Sequence, residues 1–183
     1  MAAVADRERT GADAGARVRA AVAEHFDYVW RLLARLGVPS SSVDDAAQEV
    51  FVVFARRLED VRPGSERSFL YGSALRIASD ARRAHARREQ RTAPERDVGD
   101  PAPGPDELLD ARERLALLDR ILDAMGERER EVFVLFELEE LSTDETAALL
   151  GVPRGTVASR LRRARSEFFS RAKRLRAQAG GRS

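Results

Sequence analysis

Residues 142–169 constrain the fold more than any other part of the chain. Ser-Thr-Asp-Glu at residues 142–145 is a capping box, with a serine N-cap followed three residues later by a glutamate, and it predicts the start of a helix. Gly151 permits a left-handed turn after this short helix, and Pro153 is tolerated in the first turn of the next one. Two helices joined by so short a turn predict a helix-turn-helix.

The second helix of this motif divides into an inward and an outward face. Val157, Leu161 and Ala164 recur at i, i+4 and i+7 and predict the packed face. Arginine and hydroxyl side chains face outward, and such groups contact bases and phosphates when a helix enters the major groove. The candidate DNA contacts are Arg154, Thr156, Ser159, Arg160, Arg162 and Arg163. An ordinary helical hairpin with a basic outer face is the alternative, but the combined signals favour DNA binding.

Apolar residues recur at helical spacing elsewhere in the chain as well. One pattern covers about residues 18–36 and includes Trp30 in its stripe, and Ser42 or Asp44 is a candidate N-cap for the next helix. Further patterns follow up to residue 58 and from 69 to 91, and others precede the helix-turn-helix. No period-two alternation is long enough for a strand, so we predict an all-α fold.

A proline-rich segment divides these helices into two small domains. Residues 92–107 contain four prolines and almost no apolar side chains, which is typical of a flexible linker. We therefore predict a disordered tail over 1–16, a helical domain over 17–91, the linker over 92–107, a helix-turn-helix domain over 108–176, and a second disordered tail over 177–183.

The net charge of +1 conceals an uneven distribution. Residues 100–150 hold fifteen acidic and five basic side chains, whereas residues 154–176 hold nine basic and one acidic. Residues 76–91 add six arginines against two carboxylates. Two separate basic segments suit two contacts with one polyanion, although solvated helix faces are the alternative.

Several classes of function lack support in the sequence. There is no cysteine and only two histidines, His25 and His85, so we expect no metal site and no cofactor. No phosphate-cradling glycine loop or nucleophile–base set is present, so we expect no enzyme activity. No apolar run reaches the roughly 20 residues of a membrane span, and residues 1–9 do not resemble a secretory signal. We therefore expect a cytoplasmic protein without a membrane partner.

Three motifs resemble those of the extracytoplasmic-function (ECF) sigma factors of bacterial RNA polymerase, in the sigma-70 superfamily. Residues 155–165, GTVASRLRRAR, are similar to the recognition helix of sigma region 4. Residues 44–51, DDAAQEVF, resemble the core-binding helix of region 2. Residues 69–74, FLYGSA, with DARR at 80–83, resemble the part of region 2 that melts the promoter. The resemblance covers roughly residues 18–175.

The resemblance implies a sigma factor that binds the polymerase core and directs promoter recognition and transcription initiation. Phe51 and Phe54 would pack beneath a core-binding surface that faces the clamp helices of the beta-prime subunit. That surface would contain Asp45, Gln48 and Glu49. The minus-ten element, where a base flips out of the melted non-template strand, would be contacted by Phe69, Arg76, Asp80, Arg82 and Arg83.

For the minus-thirty-five element, the resemblance implies that Ser159, Arg162 and Arg163 read bases of the double-stranded promoter DNA, while Arg154 and Arg160 contact phosphates. The family often has tryptophan where Phe69 stands, and arginine or lysine where Ala158 stands. It also implies an anti-sigma partner. The acidic and apolar stretch 119–141 belongs either to that interface or to a core with an acidic surface.

A helix-turn-helix regulator that does not replace a polymerase subunit is the alternative function. Such a regulator would carry an N-terminal sensing or dimerisation domain, and the sequence indicates neither a self-complementary apolar face nor a ligand pocket. The helix with Asp45, Gln48 and Glu49, together with the arginine-rich helix after it, favours the sigma factor.

Overall fold

The computed structural model describes residues 2–89 and 106–180, and all regular structure in these two ranges is helical. The helices are α1 (Ala2–Arg35), α2 (Ser40–Arg56), α3 (Glu66–Glu89), α4 (Asp106–Asp123), α5 (Glu127–Phe133), α6 (Thr143–Leu150) and α7 (Arg154–Gly180). A 3₁₀ turn covers Leu58–Asp60, and a π-helical segment covers Val134–Leu138. The chain forms two compact units, one built mainly from α1–α3 and the other from α4–α7. The prediction of an all-α fold with two domains is confirmed.

The core of the first unit lies where α1, α2 and α3 bury their apolar stripes. On α1 the fully buried side chains include Val29, Leu32 and Leu33, and on α2 they include Ala47, Val50 and Phe54. The α3 helix contributes Leu70, Tyr71, Ala74 and Ala78. Each stripe follows the i, i+3, i+4 spacing that brings side chains to one side of a helix. Burying a large apolar side chain in this way stabilises the fold by about 1.5–3 kcal/mol.

One arginine ties α1 to the start of α3. The Arg17 Nη2 atom donates to the Val61 carbonyl at 2.6 Å and to the Glu66 carboxylate at 2.7 Å. Nearby, the Tyr28 and Tyr71 rings meet edge to face with centroids 5.2 Å apart. These contacts fix the register of α1 against α3.

The structure differs from the sequence prediction at three places in the first unit. First, α1 begins at Ala2, so it includes residues 2–16, which were predicted as a disordered tail; six of these residues are alanine, the strongest helix former. Second, α2 begins at Ser40 with Pro39 as its N-cap residue and no capping side chain, so neither Ser42 nor Asp44 caps it. Third, Trp30 is 39% exposed and does not lie in the buried stripe.

The helix-turn-helix of the second unit has the predicted local geometry. The Ser142 side chain accepts a hydrogen bond from the Glu145 backbone N–H at 3.2 Å, and the Glu145 carboxylate accepts one from the Ser142 N–H at 2.9 Å. Gly151 ends α6 in the left-handed region, with φ 62°. A small core of Val132, Ala147, Val157 and Leu161 holds α7 against α5 and α6, with Phe136, Leu150 and Val152 packed around it.

The predicted linker and C-terminal tail overlap the ends of α4 and α7. Of the predicted linker, residues 92–105 lie outside the described residues, whereas residues 106 and 107 are the first two of α4. At the other end, α7 continues to Gly180, so the first part of the predicted tail 177–183 is helical. Residues 181–183 lie outside the described residues.

Candidate nucleic-acid interface and polymerase-binding surface

The outward face of α7 is the candidate for contact with duplex DNA. Val157 and Ala164 are fully buried and Leu161 is 7% exposed, which confirms the predicted inward face. The six candidate contact residues all lie within the first ten positions of α7. Arg154, Arg162 and Arg163 are exposed, whereas Thr156, Ser159 and Arg160 are half-buried. The hydroxyl of Ser159 donates to the Thr156 carbonyl at 3.0 Å, so it is already positioned within the helix.

Carboxylates from the neighbouring elements lie against several arginines of α7. Arg154 pairs with Asp144 of α6 at 2.8 Å, and Arg165 pairs with Glu137 of the π-helical segment at 2.6 Å. The Arg165 guanidinium also lies over the Phe136 ring, 5.6 Å from its centroid. Sequence reasoning missed Arg165 and its carboxylate; the only available signal was the run of arginines at 160–165.

The exposed face of α2 combines acidic, polar and apolar side chains. Asp45, Gln48 and Glu49 are all exposed and follow the i, i+3, i+4 pattern, and Val52 continues it at i+7 with 45% exposure. Phe51 and Phe54 are buried at 6% and 0%, in line with packing beneath this face.

Trp30 of α1 joins that face from the side. Its indole Nε1–H donates to the Asp44 carboxylate at 2.7 Å, while much of the ring remains exposed. Sequence reasoning missed both Trp30 and Val52, because Trp30 stands beside Val29 at the edge of the α1 stripe and Val52 directly follows the buried Phe51 on α2. We call the set Trp30, Asp44, Asp45, Gln48, Glu49 and Val52 the α2 face.

The candidate residues on α3 fall into two groups. Phe69, Arg76, Asp80 and Arg83 are spaced at i, i+7, i+11 and i+14, so they share one side of the helix. The Phe69 ring is half-buried with its centroid 5.9 Å from that of Phe54, and Asp80 pairs with Arg83 at 2.5 Å. Arg82 lies on a neighbouring side of α3 and is half-buried. Four of the five residues therefore share one side of α3, spread over about 21 Å of its length, and Arg82 lies on another side.

The acidic stretch 119–141 contributes mainly to the core of the second unit. Ile121, Leu122 and Met125 are buried, as are all four residues from Val132 to Leu135. Arg130, also buried, donates to the carbonyls of Asp123 at 2.8 Å and Met125 at 3.4 Å. This arrangement favours a core with an acidic surface over an apolar docking surface for the stretch.

Other kinds of site find no support in the described ranges. Within residues 2–89 and 106–180, no cluster of three or more histidine or acidic side chains could hold a metal ion. None of the described helices is long and apolar enough to cross a membrane.

The two helical units, one with exposed carboxylates on α2 and the other with a basic helix-turn-helix, match two regions of one class of proteins, the sigma factors. Residues 21–88 match the family model described as Sigma-70 region 2, and residues 115–168 match the model described as Sigma-70, region 4. The ECF sigma factor SigE of Mycolicibacterium smegmatis is 32% identical over 80% of this chain, which spans 58% of the relative's length. The sigma factor CnrH of Cupriavidus metallidurans is 30% identical, and the match covers 80% of this chain and 82% of CnrH.

Two solved structures of sigma factors share the fold of this chain. The structure of CnrH in complex with the cytosolic domain of CnrY matches with a TM-score of 0.62 and 27% identity, over 84% of this chain and 85% of that one. The structure of the sigma factor RpoE of Bartonella quintana in complex with the anti-sigma factor NepR matches with a TM-score of 0.66 over 83% of this chain and 94% of that one; at 20% identity it supports the fold alone.

The chain belongs to the ECF sigma factors of the sigma-70 family. Because both sigma regions are matched in order, this family membership favours the sigma factor over the regulator that does not replace a polymerase subunit.

Proposed function

We propose that this chain binds the core of RNA polymerase and directs initiation at promoters whose two elements contact α3 and α7. The observation that carries the proposal is the division of α7 into a buried apolar side and an exposed side of arginines and hydroxyls, in a chain that matches both sigma regions. A helix of this kind, presented by a helix-turn-helix, suits insertion into the major groove.

The α2 face is the proposed contact with the polymerase core. Exposed carboxylates at Asp45 and Glu49 favour a basic partner. Trp30 and Val52 expose apolar surface, and its burial by the partner would add to the binding free energy. The proposed partner is the pair of clamp helices of the beta-prime subunit. Gln48, between the two carboxylates, can donate and accept hydrogen bonds across that interface.

The shared side of α3 is the proposed contact with the melted minus-ten element. Capturing a base that has left the stack needs an aromatic or apolar surface and a positive rim. Phe69 offers a half-buried ring, and Arg76 lies two turns further along on the same side. Beyond Arg76, Asp80 and Arg83 form an ion pair whose charges cancel. The net positive charge on this side of α3 therefore comes from Arg76.

An anti-sigma factor is a further proposed partner. The similar sigma factor CnrH has been solved in complex with the cytosolic domain of CnrY, and RpoE, which shares the fold, has been solved in complex with the anti-sigma factor NepR. We propose that the chain acts in the cytoplasm as a non-catalytic subunit, with nucleotide chemistry carried out by the polymerase core.

The test is run-off transcription with purified polymerase core, this chain and a library of promoter sequences. We expect transcripts from a subset of promoters that share two short elements. Absence of core binding and of initiation on every promoter would refute the proposal.

Matched variants then separate the two surfaces. Arg163→Ala is expected to weaken recognition of the upstream element while core binding remains unchanged. Glu49→Ala is expected to weaken core binding, whereas Glu59→Ala, which removes an exposed carboxylate outside the α2 face, serves as its control. Because Trp30 is the only tryptophan in the chain, a change in its fluorescence on addition of core reports engagement of the α2 face directly. An identical loss of core binding in Arg163→Ala and Glu49→Ala would contradict the separate roles.

A further inference from the structure

Three carboxylates lie along the edges of the recognition helix. Glu137 pairs with Arg165 at 2.6 Å and Asp144 pairs with Arg154 at 2.8 Å, while Glu129 of α5 approaches Arg163 at 4.0 Å. The Glu129 and Glu137 side chains are only 22% and 30% exposed, so they are held in place by the fold. Asp144, in the first turn of α6, is 64% exposed.

The positions on α7 show how these pairs are arranged. Arg154 and Arg165 are eleven residues apart, which places them on the same edge of the helix, whereas Arg163 lies towards the opposite edge. Ser159, Arg162 and the exposed Ser166 lie between the two edges. The carboxylates thus flank a central strip that faces solvent.

Each of the two arginines on one edge, Arg154 and Arg165, can satisfy its charge in two ways. It can remain paired with its carboxylate, or it can release the carboxylate and contact a phosphate. The Arg154–Asp144 pair is exposed and the Arg165–Glu137 pair is partly exposed, and ion pairs that are open to solvent contribute little to stability, so a phosphate with good geometry can displace the carboxylate. When α7 is misplaced along the DNA, a phosphate does not reach the arginine with good geometry. It then lies near an arginine that is already neutralised and near the negative charge of the carboxylate.

We propose that Glu137 and Asp144, with Glu129 in support, are specificity determinants for the upstream promoter element. They hold the edge arginines, so that non-specific contact with the DNA backbone is weakened. When the central strip meets its own base sequence, docking brings phosphates close enough to release the arginines. This inference rests on the proposed binding of DNA by α7 and assigns a role to residues that do not themselves contact bases.

The test compares the wild-type chain with Glu137→Gln and Asp144→Asn, each bound to polymerase core. Two duplexes are used, one with a promoter selected in the run-off experiment and one with its upstream element scrambled. The dissociation constants are measured at several salt concentrations. Glu167→Gln is the control, because it removes the same charge from an ion pair with Arg171 further along α7.

We expect each of the two variants to bind the scrambled duplex roughly three- to tenfold more tightly than wild type at low salt. Each additional arginine–phosphate pair steepens the plot of log K against log salt by about 0.9. Binding to the selected promoter should change less, so the ratio between the two duplexes falls. The control should match wild type in both slope and ratio.

The outcomes distinguish this inference from the function on which it rests. If wild type does not discriminate between the two duplexes, DNA reading by α7 fails. If wild type discriminates but both variants keep its slope and ratio, the role assigned to the carboxylates is overturned. Weakened binding of both duplexes in both variants, with an unchanged melting temperature, would also overturn it, because the carboxylates would then aid phosphate contact.

Discussion

Truncating Leu161 to alanine removes three carbon atoms from the small core that holds α7 against α5 and α6. Leu161 is 7% exposed and packs with Val132, Ala147 and Val157. It belongs to the same helix as the exposed candidate Arg162 but points inward, about 100° around the helix axis from it. The substitution therefore perturbs the support of the recognition helix without changing its outward chemistry.

The magnitude follows from the burial of the side chain. Three carbons at about 0.8 kcal/mol each give roughly 2.4 kcal/mol of lost transfer free energy, and the cavity left behind raises the cost to about 3 kcal/mol. A unit of this size has a free energy of unfolding of about 4–11 kcal/mol. We expect the second unit of the variant to remain folded but to open locally about a hundred times more often.

Hydrogen exchange followed by mass spectrometry measures this opening helix by helix. Amides in α5, α6 and α7 should exchange about a hundredfold faster, whereas those of α1–α3 should be unchanged. The fluorescence of Trp30, in the first unit, provides an independent check that this unit is intact. Equal acceleration in both units, or less than threefold acceleration in α7, would refute the assignment of Leu161 to this core.

Two further predictions concern the helix-turn-helix. Gly151→Ala should destabilise the second unit by about 1–2 kcal/mol in thermal unfolding, because a φ of 62° strains a residue that has a Cβ, even where the space around it is open. Gly155→Ala is the control: this glycine lies in regular helix with open space around it, so the substitution should be neutral or slightly stabilising. Hydrogen bonds from Ser142 hold the pKa of the Glu145 carboxyl below its usual value. The ionised carboxylate therefore stabilises α6 fully when the pH is above the pKa that Glu145 has in the unfolded chain. This stabilisation is lost as the pH falls through the lowered pKa of the folded state. An NMR titration should show the pKa of Glu145 moving upward in Ser142→Ala; an unchanged pKa would contradict the capping box as its cause.

The helix-turn-helix was predictable because its signals are local. The capping box at Ser142, the left-handed Gly151 and the spacing of Val157 and Leu161 each depend on a few neighbouring residues, and all agree with the structure. The apolar pattern predicted for the third helix starts at residue 69, and α3 begins three residues earlier, at Glu66.

The features that sequence reasoning missed depend on contacts between distant residues. Glu137 and Arg165 are 28 positions apart, and only the packing of α7 shows that they meet. The exposure of Trp30 depends on where α2 crosses α1, since at the edge of an apolar stripe a tryptophan can face either way. Arg82 is a different case, because adjacent residues on a helix face different directions and helical spacing alone separates it from Arg83.

The π-helical segment at Val134–Leu138 gives the second unit a tolerance to changes in chain length. Its wider turn is closed by a hydrogen bond from the Glu139 N–H to the carbonyl of Val134, five residues earlier. Loss of one residue from a regular helix rotates everything that follows by about 100°. Loss of one residue from this segment can instead be absorbed by a return to ordinary helical pairing, so α6 and α7 would keep their orientation.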